Sequence, residues 1–184
     1  LGDLTGARVG LVGFGRIARQ VARICGAGFG CEVLAHDPFM AGDAIAGAGA
    51  VPATLAEVMG CDVVSIHTPL NDATRGLVGA GELALMPGHG ILVNCARGGI
   101  VDEAALVDVL RERRIAGAGI DVFDAEPPPA DHPLFALPNA ILSPHVAGVT
   151  ENGMKDMAIN VAAVIETVAA GGVPETLLNP EALR

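Results

Sequence analysis

Three side chains of complementary chemistry, Arg97, Glu126 and His145, lie in separate stretches of the sequence, NCARGGIVDE, DVFDAEPP and SPHVAG. Each stretch follows an apolar run that is typical of a buried strand. A guanidinium can hold a carboxylate through two parallel hydrogen bonds, and a carboxylate beside an imidazole can fix that ring for proton transfer. If the fold brings the three together, they could oxidise an alcohol that carries an acid group.

Taken singly, each member of this trio has an ordinary explanation. Arg97 could be a surface residue ahead of a glycine turn, Glu126 a solvated loop acid and His145 a hydrogen-bonded structural histidine. Their shared position after predicted strands favours a common site, because ligands of parallel sheets bind at the carboxyl ends of the strands.

A glycine-rich turn precedes all three. Gly13, Gly15 and Ala18 form a GxGxxA pattern between the strand-like run RVGLV and the helical segment RIARQVARI, so a pyrophosphate could approach the bare backbone and the helix N-terminus. Asp37 ends the next apolar run 19 residues after Ala18, where a carboxylate can accept hydrogen bonds from both ribose hydroxyls. The same carboxylate would repel a 2′-phosphate, which predicts NAD rather than NADP. The alternative is a tight turn followed by a simple Asp37–Pro38 turn.

Other polar residues at predicted strand ends are candidates for cofactor contact. His67 and Thr68 follow the run CDVVSI, although His67 could equally cap that strand edge. Asp121 follows AGAGI and could accept a hydrogen bond from a carboxamide, or cap a buried turn. No role is predicted for the remaining histidines, His36, His89 and His132.

Composition bounds the class of protein. At 184 residues and 51% hydrophobic, the chain can bury one sizeable core, and with 3% aromatics that core must consist of small aliphatic side chains. The formal charge of −10 disfavours nucleic acid and anionic membrane surfaces, which need a basic face. The four cysteines show no metal-binding spacing and indicate reduced thiols in the cytoplasm. No apolar run approaches the length of a membrane span.

Short apolar runs alternate with helical periods along the chain. Six strand candidates are ARVGLVG, GCEVLAHD, CDVVSIHTP, GILVNCA, AGAGIDVF and NAILSPH, and GAGAVP adds a short seventh. Thr54 and Glu57 have the spacing of a capping box, and Asp102 is a plausible N-cap of the helix EAALVDVLRER. The alternation predicts an α/β fold with a doubly wound, mostly parallel sheet of Rossmann type.

Two regions should lie outside the sheet. The stretch EPPPADHPLFAL contains four prolines and is predicted to be an irregular loop. From Thr150 to about Ala170 a long apolar helix is expected, interrupted early by Gly153 and followed by a tail of turns. The expected division is a cofactor domain over residues 1–150 and a C-terminal helix and tail over residues 151–184.

In this order the motifs resemble the cofactor domain of the D-isomer-specific 2-hydroxyacid dehydrogenases, and HTPL and NCARGGIVDE are similar to the phosphoglycerate dehydrogenase branch. By this resemblance Arg97 would bind the substrate carboxylate and carbonyl, His145 would be the general acid/base, and Glu126 would pair with His145. By the same resemblance the NAD site would be lined by Arg16, Ile17, Asp37, Thr68, Cys95, Ala96, Asp121 and Gly148, and the motifs described above add Gly13, Gly15 and His67. No metal is implied.

The resemblance implies transfer of a hydride between NAD and C2 of a D-2-hydroxy acid or 2-oxo acid by a cytoplasmic homodimer. The family builds its substrate domain largely from residues ahead of the glycine-rich strand, where this chain has only LGDLTGA. We therefore expect a cofactor-domain piece with little activity of its own. VTENGM after SPHVAG departs from the phosphoglycerate dehydrogenase pattern, so hydroxypyruvate, glyoxylate or another 2-oxo acid stay open as substrates. The alternative is a non-enzymatic NAD sensor resembling the corepressors of this fold.

Overall fold

A single parallel sheet organises the computed structural model, which describes residues 3–183. Its seven strands lie in the order β3-β2-β1-β4-β5-β6-β7. The strands are β1 Arg8–Val12, β2 Glu32–His36, β3 Val51–Pro52, β4 Val63–Ile66, β5 Ile91–Asn94, β6 Gly117–Ile120 and β7 Ala140–Leu142. All six main strand predictions and the short seventh are confirmed, and the doubly wound fold class with them.

Helices connect the strands as the alternation predicts. They are α1 Arg16–Phe29, α2 Gly42–Gly47, α3 Leu55–Met59, α4 Ala80–Leu83, α5 Glu103–Arg111 and α6 Glu151–Ala169. Two 3₁₀ helices are added, Pro133–Ala136 and Pro180–Leu183.

The strand order reverses direction at β1. The chain first builds outward through β2 and β3 and then returns to place β4 on the other side of β1, with Val12 beside Ile66 in the register. This reversal opens a crevice between the ends of β1 and β4, which is where open α/β sheets bind their ligands. The glycine-rich turn after β1 and the HTP motif after β4 therefore meet at this crevice.

Buried side chains cover both faces of the sheet. Val9 and Leu11 of β1 pack in one cluster with Ala18 and Ala22 of α1, whereas Val12 packs in a second cluster that contains residues of α3 and α5. Because successive strand residues point to opposite faces, these clusters fill the two helix layers of the sandwich.

Side chains cap three helices, two of them as predicted. Thr54 and Glu57 form a complete capping box at α3, and the Asp102 carboxylate accepts a hydrogen bond from the Ala105 N–H at α5. Such a cap contributes about 1 kcal/mol by satisfying backbone donors that the helix leaves unpaired. Both caps were predicted from the sequence and are confirmed. Thr150 caps α6 through the Gly153 N–H.

Two local predictions need correction. The proline-rich stretch is not irregular throughout, because Pro133 begins a 3₁₀ turn that His132 caps with its imidazole. Proline is favoured at that position, because its fixed φ suits the first turn and the N–H that it lacks would have no partner within the helix. Gly153 does not interrupt the C-terminal helix, which is continuous over Glu151–Ala169.

The chain divides into two compact units, the first ending at His145 and the second beginning at Val146. The first contains the whole sheet, and the second contains α6 and the C-terminal turns. In the second unit the apolar side chains of Met157, Val161 and Ile165 are exposed. Among the described residues, no helix has the length and apolarity to cross a membrane.

Candidate active site

Two of the three predicted catalytic residues are in direct contact. His145 Nδ1 lies 2.8 Å from Glu126 Oε2, and the other carboxylate oxygen accepts a hydrogen bond from the Phe123 N–H at 3.1 Å. Because Glu126 occupies Nδ1, any proton exchanged with a bound molecule must pass through Nε2 of the ring. The side chains of His145 and Glu126 are 45% and 38% exposed, so the pair is accessible to a substrate.

The backbone at His145 is unusual. Its φ of 55° lies in the left-handed region, which residues other than glycine seldom adopt, and its N–H donates to the Asp121 carbonyl at 2.8 Å. Strained backbone of this kind concentrates at functional sites, where the surrounding structure holds it. Here the hydrogen bond to Asp121 ties the histidine to the end of β6.

The charge state of Glu126 follows from these contacts. The hydrogen bond with His145 is the largest influence that lowers the pKa of Glu126, the Phe123 N–H adds to it, and the charge that His145 carries when protonated and the charge of Arg97 contribute further. Glu126 is therefore a carboxylate at neutral pH. Arg97 makes the smallest of these contributions.

Arg97 lies in a turn that its neighbours shape. Asn94, buried at the end of β5, donates through Nδ2 to the Arg97 carbonyl and accepts from the Ala96 N–H, both at 3.0 Å. The guanidinium donates one bond, from Nη1 to the Ala96 carbonyl at 2.5 Å. Since a guanidinium has five N–H donors, most of its fork remains for a carboxylate.

The Arg97 turn and the Glu126 loop pack backbone against backbone. A Cβ added at Gly98 would overlap the carbonyl of Phe123, so only glycine permits this approach. The Gly99 N–H also donates to Asp124 Oδ1 at 2.5 Å. Arg97, Glu126 and His145 thus follow the carboxyl ends of β5, β6 and β7, at the same end of the sheet, as the sequence predicted. Their roles stay predictions.

A second group of predicted residues lines a cavity of about 250 Å³ in the crevice between β1 and β4. Gly13, Gly15, Asp37, His67 and Thr68 all belong to its wall. At Gly13 the φ is +88°, and an added Cβ would lie 2.8 Å from the His67 carbonyl, so the turn requires glycine on both grounds.

The wall of this cavity fits a pyrophosphate. An added Cβ at Gly15 would meet nothing within 4 Å, which leaves the backbone open to a ligand. Helix α1 begins directly afterwards with Arg16 and has neither a side-chain cap nor an acidic residue in its first turn. Its unpaired N–H groups and positive dipole end therefore suit an anion.

The sequence allowed two roles for Asp37, a turn residue or an acceptor for the ribose, and its contacts fit both. Its Oδ2 accepts from the Phe14 N–H and its Oδ1 from the Phe39 N–H, each at 2.9 Å. These bonds organise the turn and at the same time aim the carboxylate along the cavity wall. Each oxygen keeps acceptor capacity for a ribose hydroxyl.

His67 presents a neutral ring to the same cavity. Burial lowers the pKa of His67, because the charged imidazolium would lose its hydration there. Its Nε2 lies 2.9 Å from Ser65 Oγ, which fixes the ring against β4. A neutral histidine adds no charge beside a dinucleotide.

The other predicted cofactor residues lie apart from this cavity wall. Asp121 is buried, and its Oδ1 accepts from Ser143 Oγ at 2.5 Å. Cys95 and Ala96 follow β5, and burial raises the pKa of the Cys95 thiol, with the Asp121 carboxylate adding to the effect. Ile17 is 73% exposed in the first turn of α1. Gly148 belongs to the second unit.

Sequence reasoning missed residues that support the site. Asn94 had no assigned role, yet it holds the Arg97 turn, and a buried amide at the end of an apolar strand is the signal that could have indicated it. His132 and Glu103 form a hydrogen bond that ties down the loop after Glu126, and no spacing rule predicts a contact across 29 residues through a proline-rich loop. Within residues 3–183 no cluster of three or more His, Cys, Asp or Glu residues could hold a metal ion.

Known proteins are similar to this chain in sequence and in fold. A family model described as the NAD binding domain of the D-isomer specific 2-hydroxyacid dehydrogenases matches residues 1–147. A glyoxylate reductase of Aeropyrum pernix is 41% identical over 183 residues, covering 99% of this chain and 54% of the reductase. A D-3-phosphoglycerate dehydrogenase of Methanocaldococcus jannaschii is 36% identical over 190 residues, covering 96% of this chain and 34% of that protein.

The solved structures agree with the sequence matches. The crystal structure of D-lactate dehydrogenase with NAD⁺ from Lactobacillus jensenii superposes with a TM-score of 0.87 at 30% identity, covering 96% of this chain and 57% of that one. The chain thus spans about half the length of the reductase and of this dehydrogenase. The family model nevertheless spans the whole of the first unit. This chain therefore belongs to the NAD-binding-domain family of the D-isomer specific 2-hydroxyacid dehydrogenases.

Proposed function

We propose that the protein is an NAD-dependent oxidoreductase that transfers a hydride between nicotinamide and C2 of a D-2-hydroxy acid or the matching 2-oxo acid. The observation that carries this proposal is the contact of 2.8 Å between His145 Nδ1 and Glu126 Oε2 at the edge of the sheet that also carries Arg97. An imidazole oriented by a carboxylate, beside an exposed guanidinium, matches a substrate that has both an exchangeable proton and an acid group.

Each side chain has a distinct part in the proposed reaction. During oxidation, neutral His145 accepts the hydroxyl proton at Nε2, and during reduction the imidazolium returns it to the carbonyl oxygen. Glu126 keeps the Nδ1–H directed away from the substrate and stabilises the imidazolium. Arg97 holds the substrate carboxylate and favours the polarised carbonyl. When NAD is bound, its nicotinamide ring supplies or accepts the hydride.

The cofactor assignment is supported by the crevice between β1 and β4. The pyrophosphate would lie against Gly13 and Gly15 and the first turn of α1, with Arg16 and Ile17, and the Asp37 carboxylate would accept from the adenosine ribose. His67 and Thr68 would contact the dinucleotide from the end of β4.

On the nicotinamide side we propose contacts from residues that follow the later strands. Cys95 and Ala96 follow β5, and Asp121 follows β6, next to the residues that hold Arg97 and His145. Gly148 is a further proposed cofactor residue. Asp121, which already accepts from Ser143 Oγ, would also accept from the carboxamide NH₂ of the nicotinamide, because a carboxylate can accept several hydrogen bonds.

The organisation of the protein in the cell is part of the proposal. We propose a cofactor domain over residues 1–150, a C-terminal helix and tail over residues 151–184, and a cytoplasmic homodimer assembled through the cofactor domain. Four free cysteines suit a reducing compartment. Sedimentation of the full-length protein at several concentrations tests the dimer.

The deciding experiment is a panel of 2-oxo acids, including glyoxylate and hydroxypyruvate, offered to the full-length protein with NADH. We expect oxidation of NADH with at least one of them and a product of D configuration. If the protein binds NAD tightly and turns over none of the acids, the oxidoreductase proposal falls and a non-enzymatic NAD sensor takes its place.

A further inference from the structure

A hydrogen bond between a histidine and a carboxylate, largely shielded from solvent, connects the proline-rich loop that follows Glu126 with the start of α5. His132 Nε2 lies 3.2 Å from Glu103 Oε2, and the two side chains are only 11% and 18% exposed. In each of the other contacts between a basic side chain and a carboxylate that are described within residues 3–183, one member is at least 45% exposed. A contact shielded from water in this way is rigid and orients its partners better than a surface pair.

The hydrogen bonds fix the proton on His132. Its Nδ1 accepts from the N–H of the buried Leu134 at 3.3 Å, so Nδ1 carries no proton. The neutral ring must therefore carry its proton on Nε2, which donates to Glu103. The rings of Phe123 and Phe135 pack against the imidazole with centroid distances of 5.4 and 5.9 Å.

Glu103 connects this ring to the active-site loop. Its second oxygen, Oε1, accepts from the Asp124 N–H at 3.0 Å, and Asp124 in turn accepts from the Gly99 N–H in the Arg97 turn. The neighbouring N–H, that of Phe123, donates to Glu126. Two successive peptide groups are thus fixed by carboxylates, that of Asp124 by Glu103 and that of Phe123 by Glu126.

Glu126 needs such support because its own surroundings do not confine it. Its side chain is 38% exposed, and among the described residues its carboxylate forms hydrogen bonds with the Phe123 N–H and His145 alone. If the peptide groups of Phe123 and Asp124 rotate, the carboxylate loses one of these two contacts and its direction towards His145 Nδ1.

We propose that Glu103 and His132 are positioning residues, which fix the peptide groups of Phe123 and Asp124 so that Glu126 points at His145. Their effect on catalysis rests on the proposed function, whereas their effect on Glu126 exists in the resting protein. The two can therefore be tested separately.

The first test replaces Glu103 by glutamine. A carboxylate accepts both hydrogen bonds, whereas an amide offers one acceptor oxygen and a competing NH₂ donor, so Glu103→Gln must release either Asp124 or His132. The pKa of Glu126 is then measured from the pH titration of its carboxyl carbon by NMR. We expect it to rise toward its ordinary value by at least about a third of the rise seen in His145→Ala, which removes the main cause of the lowering.

Asp62 offers a matched control at the opposite end of the sheet. Its carboxylate also accepts from one backbone N–H, that of Arg8 at 2.7 Å, and lies 2.7 Å from a histidine Nε2, that of His89. Asp62→Asn therefore removes the same kind of link before β4, on the side away from the site. We expect the pKa of Glu126 to stay unchanged in this variant.

A second variant keeps the test independent of folding losses at Glu103. In His132→Asn the shorter amide can still cap the Leu134 N–H, as asparagine does at helix N-termini, but it cannot reach Glu103. The same rise in the pKa of Glu126 is expected. If that pKa stays at the wild-type value in both variants while their thermal stability falls, the pair only supports the fold and the positioning role is wrong.

Turnover gives an additional readout. Where the wild-type protein reduces a 2-oxo acid, Glu103→Gln should lower kcat about tenfold and leave the KM for the acid nearly unchanged, because Arg97 still binds the carboxylate. A wild-type protein without turnover would remove the proposed function and leave the NMR result to decide the positioning role. An equal loss in kcat for Asp62→Asn would contradict the inference.

Discussion

At the residue scale, the two glycines of the turn after β1 have separable functions. Gly13 has a left-handed φ and no space for a Cβ, whereas Gly15 has an ordinary φ of −72° and open space beside it. Gly13→Ala should therefore lower the free energy of unfolding by about 2 kcal/mol or more, and Gly15→Ala by less than about 0.5 kcal/mol.

Gly15 should matter for NAD binding although it matters little for stability. Its added methyl group would occupy the space proposed for the pyrophosphate, so Gly15→Ala should weaken NAD binding by at least about tenfold while the fold survives. Urea unfolding and titration calorimetry measure the two effects. A stable Gly15→Ala variant that binds NAD as well as the wild type would remove the pyrophosphate from this turn.

Asp37 should decide between the two dinucleotides. Asp37→Asn keeps one acceptor oxygen and removes the charge, so NAD should bind about tenfold more weakly while NADP gains from the lost repulsion. The ratio of the two Kd values, measured by calorimetry, is the readout, and Asp43→Asn in α2 controls for net charge. If both Kd values change by the same factor, Asp37 only shapes the turn with Phe14 and Phe39.

Sequence patterns predicted the charged residues of the site better than the residues that support them. Arg97, Glu126 and His145 follow strands, and the position of a strand end can be read from an apolar run. His132 was assigned no role, because its partner Glu103 is reached only after the chain has folded through the proline-rich loop. A contact of that kind depends on the loop conformation, which proline content alone does not determine.

At the scale of elements, the capping box of α3 is the clearest local stabiliser. The helix has only five residues, and its N-terminus is held by Thr54 and Glu57 while Val58 and Met59 pack in the core. Thr54→Ala should lower the free energy of unfolding by about 1 kcal/mol, because the Glu57 N–H loses its partner. Thr54→Ser, which keeps the hydroxyl, should recover most of the loss. Equal losses in both variants, measured by urea unfolding, would contradict the capping argument.

Strands were easier to predict than their order. The apolar runs from RVGLV to NAILSP each became a strand because a buried parallel strand tolerates few polar residues. The sheet order, with β4 beside β1, depends on the direction in which each crossover returns, and no residue pattern in the chain records it. Gly153 was misread for a related reason, since glycine is costly inside a helix but acceptable in the first turn after the Thr150 cap.

At the scale of the whole molecule, the two units should be separable. The sheet, both hydrophobic clusters and all proposed NAD contacts except Gly148 lie before Val146. A chain ending at Thr150 should therefore unfold cooperatively and bind NAD within a few-fold of the intact chain. Failure of this shorter chain to fold would show that the second unit is needed for the first, and would remove the proposed boundary.

The central claim is that His145, oriented by Glu126, moves the proton in an NAD-dependent oxidation. The most direct measurement compares the turnover of a 2-oxo acid with NADH by full-length wild type and His145→Ala, together with the Kd for NAD of each. We predict that His145→Ala loses at least about a thousandfold in kcat and keeps its Kd for NAD within a few-fold, because the ring exchanges protons with the substrate and not with the cofactor. A correctly folded His145→Ala variant with wild-type turnover would contradict the account.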